Sequence, residues 1–80
     1  MQPRAHTPVR ISPKLVDDAI DAYVDWREEC EWVQASYDRW KSASTNEASR
    51  AFSAYRAALE REERASCVYA DCIARVARAK

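Results

Sequence analysis

Catalysis needs a positioned nucleophile, base or metal-ligating set, and this chain holds few side chains able to supply one. Its single histidine, His6, precedes every helix-forming stretch, so it reads as part of a flexible arm and not as the base of a relay. Glycine is absent, which removes the phosphate-cradling loops and nucleotide fingerprints. Of the three cysteines, Cys67 and Cys72 stand five residues apart, and on one helix that separation exceeds the ~7 Å Cα reach of a disulfide. Three scattered thiols also fall short of the four ligands of a structural zinc site. Cys30 and Cys72 read as small core hydrophobes and Cys67 as an exposed thiol. The acid pairs Glu28/Glu29 and Glu62/Glu63 are adjacent in sequence, so on a helix they point to different faces and cannot share a substrate. The di-iron pattern of helical bundles needs histidines on the helices, and none is there. The expectation is a non-enzyme with no cofactor, no metal and no catalytic residue.

What must position the remaining side chains is helix. A β-rich or α/β chain normally spends glycine in its turns, and the three prolines here all lie within the first thirteen residues. Alanine, glutamate and arginine, all good helix formers, dominate the rest. Eighty residues make one small domain whose core alone contributes roughly 3–5 kcal/mol. Formal charge is zero, so overall charge points to neither nucleic acid nor an acidic membrane. Between Asp17 and Glu31 seven acids stand against one base, Arg27, whereas Arg75, Arg78 and Lys80 make the far end basic. No apolar run approaches the ~18 residues of a membrane span, and no secretory leader is expected. The odd thiol count fits a reducing compartment, with the cytoplasm as the expected location.

Residues 1–11 read as a mildly basic arm. Ser12-Pro13 then opens a helix, serine as N-cap and proline at the first position, with Asp17 and Asp18 following near the positive end of its dipole. From Val16 the apolar residues recur at 3–4 spacing through Ala19, Tyr23, Trp26, Cys30, Val33, Tyr37 and Trp40, predicting a helix over about 13–42. Ser44 and Glu47 match a capping box, which predicts a second helix over about 45–78. Its stripe runs through Ala48, Phe52, Tyr55, Leu59, Glu62, Ser66, Tyr69, Ile73 and Val76, flanked by Ala51, Ala58, Ala65 and Cys72. So short a turn makes the helices antiparallel neighbours. The fold class expected over 12–80 is therefore all-α: a coiled-coil-like two-helix hairpin. In it the bulky residues of helix one face the alanines of helix two, and Asp17 and Asp18 approach Arg75.

Two residues break the pattern. Glu62 occupies a stripe position and should meet either the Trp26 indole N–H or the Arg27 guanidinium, with a register-specifying role as the sharper alternative. Trp32 falls off the stripe, on a face shared with Asp25, Glu28, Glu29, Ser36 and Arg39. There it either lies over an arginine stem or, with Arg39, anchors another chain. Leu15, Ile20, Val24 and Phe52 add more apolar surface than two helices can hide, which predicts a homodimer packed as a four-helix bundle. The expected self-association seam is Tyr23, Trp26, Val33, Tyr37, Trp40, Phe52, Tyr55, Leu59, Glu62, Tyr69 and Ile73.

The stretch Ala51-Phe52-Ser53-Ala54-Tyr55-Arg56-Ala57-Ala58-Leu59-Glu60-Arg61-Glu62-Glu63, preceded by Tyr37-Asp38-Arg39-Trp40 before the turn, resembles a segment of small helical proteins of actinobacteria and their phages. The resemblance spans about residues 32–70 and implies that setting, with no particular mechanism. WXG-type secreted hairpins also place a tryptophan at the turn. Here Ser42 stands where their motif has glycine, and Tyr69 is followed at the fourth place by Ile73 and not by an acid. The function expected is a protein–protein interaction module acting on itself and on a further protein. The alternative is a small nucleic-acid-associated regulator using Arg4, His6, Arg10 and Lys14, which the acidic patch from Asp17 would oppose.

Overall fold

A computed structural model describes residues 12–79, and two helices account for nearly all of them: α1 (Pro13–Lys41, 29 residues) and α2 (Ala48–Arg78, 31 residues). No strand occurs among the described residues. The arm read over 1–11, and with it the nucleic-acid alternative, lies outside them. At the start of α1, Ser12 has left the helical region (φ −56°, ψ 132°) and its hydroxyl oxygen accepts the Lys14 amide at 3.2 Å, with Pro13 first in the helix. The acids come later than a dipole role requires. None lies in the first turn, and Asp18 instead accepts from the Lys14 ammonium at 3.3 Å. Both C-termini carry bases in the last turn, Arg39 and Lys41 in α1, Arg75 and Arg78 in α2.

The connection is tighter than a capping box. The Ser42 amide bonds back to the Asp38 carbonyl, the Ala43 amide to Trp40, and the Glu47 amide to the Ser44 carbonyl at 3.0 Å. Ser44 and Glu47 thus close a turn through their backbones. Glu47 becomes the N-cap residue without a side-chain bond, and α2 begins at Ala48. A chain without glycine makes this reversal without a left-handed residue, since no described residue has positive φ.

Which face is buried differs from the expected stripe. In α1 the buried residues are Ala19, Ala22 and Ser36; in α2 they are Ala51, Ala58 and Cys72. The α1 seam therefore runs 15, 19, 22, 26, 29, 33, 36, 40 and the α2 seam 48, 51, 55, 58, 62, 65, 69, 72, 76, each an unbroken heptad pattern. Relative to the expected stripes, each helix is turned by about 50°, half the ~100° step between residues. Trp26, Val33, Trp40, Tyr55, Glu62 and Tyr69 keep half-buried places between the helices, whereas Tyr23, Tyr37, Phe52, Leu59 and Ile73 move to the margin. Small residues of both helices are buried in the seam, and the rings of α1 also meet rings of α2. A small seam lets the backbones approach closely, and van der Waals contact then extends along both helices.

Ala58, with no exposed surface, marks the tightest point. Ala58→Leu is expected to cost about 1–3 kcal/mol by overpacking, read from urea unfolding at fixed protein concentration. Ala57→Leu, one residue along on the exposed side, should stay within about 0.5 kcal/mol of the parent.

Candidate functional site: the aromatic face

One side of the hairpin, here the front, carries the ring contacts. Near the open end Tyr23 packs on Tyr69 (centroids 5.5 Å apart) and Trp26 stacks on Tyr69 (5.7 Å, planes 10° apart). Near the turn Tyr37 meets Tyr55 at 5.6 Å, and Trp40 meets Phe52 at 4.9 Å and Tyr55 at 5.6 Å. Pairs of this kind add about 0.5–1.5 kcal/mol each beyond area burial. Between the two clusters the Trp26 indole N–H donates to Glu62 Oε2 at 2.8 Å, the first of the two contacts expected for Glu62. Glu62 satisfies the one polar group that a tryptophan brings into a seam, and the bond ties the middle of α1 to the middle of α2.

The same face is only partly covered. Among the described residues no large side chain is fully buried; the buried apolar residues are four alanines and Cys72. Val16, Ile20, Tyr23, Tyr37, Phe52, Leu59 and Ile73, all on the front, are 37–55% exposed. At the open end Val16, Ile20, Tyr23, Tyr69, Ile73 and Val76 line a shallow apolar groove of about 450 Å³. All eleven residues expected to form the self-association seam lie on this side, half-buried or exposed.

The back is charged. Asp18, Asp21 and Asp25 share a groove with Arg75, as the expected approach of the acidic start to the basic finish requires, while the ion pair Asp18 makes is with Lys14. The pair that does cross the hairpin is Arg61 Nε to Glu29 Oε1, 3.1 Å, where Glu29 belongs to the seam and not to the outer face. Ser36, also expected beside Trp32, is buried between the helices. Trp32 stands 55% exposed next to Glu28, Glu31 and Ala35, and the cation–π contact found among the described residues is Lys41 over Tyr37, not an arginine on Trp32. Arg39 lines a separate groove with Ala43, Glu47 and Arg50, so the two residues expected to anchor a partner are not brought into one site.

Among the described residues no cluster of histidine, cysteine, aspartate or glutamate is arranged to hold a metal ion. Cys72 is buried, Cys30 half-buried and Cys67 exposed, all three as free thiols. No described helix is long and apolar enough to cross a membrane. No family model, curated protein or solved structure matches the chain. Sequence reasoning named the small residues Ala51, Ala58, Ala65 and Cys72 of α2 as facing α1, and missed the small row of α1, with Ala22 and Ser36, that is buried with them.

Trp26→Phe removes the indole donor while keeping a ring, and should lower unfolding free energy by about 1 kcal/mol. In a double-mutant cycle with Glu62→Ala, a coupling near zero would show that the bond contributes nothing to stability.

Proposed function

We propose that this protein is a non-enzymatic protein-interaction module, a helical hairpin that self-associates through its aromatic face into a four-helix bundle. The supporting observation is the distribution of apolar surface. The buried residues of the hairpin's own seam are alanine, serine and cysteine, while seven large apolar side chains stand together, 37–55% exposed, on one side. Scattered exposed hydrophobics are ordinary on a protein surface, whereas a contiguous strip along the whole length of two helices marks an interface. A charged back keeps the opposite side in water. Trp32, isolated from this strip on the other side of α1, is the proposed contact for a different protein. The resemblance to small actinobacterial and phage proteins gives the setting: an accessory protein that modulates or scaffolds a larger partner.

Light scattering over a concentration series, with reductant present, tests the reading. The native chain is expected at twice its 9.2 kDa mass. Leu59→Glu, placed mid-face on a side chain already 39% exposed, should give the single-chain mass with helical circular dichroism retained. Trp32→Ala should leave the mass unchanged. A native chain that stays single at every concentration, or a Leu59→Glu variant that still pairs, overturns self-association through this face.

A further inference from the structure

We infer that the apolar groove at the open end of the front is filled by the chain's own residues 8–11, with Ile11 packed on Val16 and Val9 beside Ile20 and Ile73. This goes beyond the self-association reading and does not rest on it. Every side chain lining the groove is apolar or aromatic, and Val16, Ile20, Tyr23 and Ile73 are each more than a third exposed. Its near edge lies one helical turn from the point where the chain enters α1. There Ser12, the N-cap residue, has extended backbone angles (φ −56°, ψ 132°), while its carbonyl already accepts the Val16 amide at 3.2 Å. Ser12 is therefore a corner in the chain, with Ile11 just before it and Val16 at the fourth position inside the helix. An apolar residue before the N-cap packs on an apolar residue at that fourth position, a hydrophobic staple that fixes the angle of entry. Val16 belongs to the front, so the staple carries the incoming segment to the front as well.

The residues upstream fit the same path. Pro8 has no N–H to give a helix, and it biases Thr7 before it toward extended angles. In an extended run side chains alternate, so Val9 and Ile11 share one side and Arg10 takes the other. Two extended residues advance about 7 Å and four helical residues about 6 Å. With Ile11 on Val16 and the run turned back along α1, Val9 reaches the height of Ile20. The groove on the back at this end is rimmed by Asp18, Asp21 and Arg75, and aliphatic side chains laid there would strip water from charged groups. Attachment decides between this segment and a second copy as occupant. A segment tethered this closely meets its groove at an effective concentration of about millimolar. The second copy of the proposed bundle then covers the front from Trp26 to the turn, where Tyr37, Phe52 and Leu59 stand exposed.

NMR relaxation of the full 80-residue chain tests this. The amides of Val9, Arg10 and Ile11 are expected to show order parameters approaching ~0.85, as in rigid backbone, and not below ~0.6, as in a free tail. Methyl contacts should run from Ile11 to Val16 and from Val9 to Ile73. Ile73→Asp, on a side chain already 44% exposed, should return the three amides to free-tail values with helical circular dichroism kept. Ile11→Ser, placed outside both helices, should do the same without altering the groove. Free-tail values in the native chain, or order that survives both substitutions, overturn the inference. A mixed sample of labelled and unlabelled chains, weighed by light scattering, separates it from self-association. Ile73 methyl contacts to another copy, with the three amides free, overturn this inference and leave self-association standing. Ordered amides in a chain that never pairs uphold this inference and overturn self-association.

Discussion

The constraint on which the rest of this structure depends is the close approach of two helices along a seam of small side chains. Ala19, Ala22 and Ser36 from α1, with Ala51, Ala58 and Cys72 from α2, are the buried residues, and none is large enough to hold the backbones apart. Close packing of small groups brings long stretches of backbone and Cβ into contact, at the cost of a core with little volume. Burial of a full-sized apolar side chain contributes about 1.5–3 kcal/mol, and this seam contains none that is fully buried. Stability must therefore come from elsewhere as well.

The aromatic clusters are the complement to that seam. Trp26 and Trp40, half-buried between the helices, and Tyr23 and Tyr37 at the margin meet Phe52, Tyr55 and Tyr69 from the other helix. They bridge the helices along the front edge of the seam, leaving one flank of each ring row in solvent. Trp26 and Glu62 mark the middle of this row, where a single hydrogen bond meets the indole's need for an acceptor. The polarity of the whole hairpin follows: aromatic and aliphatic groups on the front, carboxylates and guanidinia on the back.

The polar groups of the described residues lie along the two helices, several of them in the groove of Asp18, Asp21, Asp25 and Arg75. The broad apolar strip and the tryptophan on the far side are surfaces of the kind that take up other helices. In the proposed bundle the front of each copy would supply the large-residue core that each hairpin lacks, so that the thin seam and the exposed strip belong to one design.

Much of this architecture was legible in the residues. The absence of glycine, the Ser12-Pro13 start, the 3–4 spacing and the break after Lys41 determine two helices and their antiparallel pairing, because backbone propensity and capping are local properties. The partnership of Glu62 with Trp26 was also foreseeable, since a carboxylate on an apolar stripe needs a donor at its own height. What only the tertiary structure decided is the rotation of each helix about its axis. The small heptad row and the large heptad row lie on either side of a shared row (Trp26, Val33, Trp40 in α1; Tyr55, Glu62, Tyr69 in α2), and both have the periodicity of a core. Periodicity cannot choose between them, because it counts which residues are apolar and not how close two backbones come. The choice rests on the sum of contacts across the pair, and that sum turned the alanines inward and left the large rings at the rim.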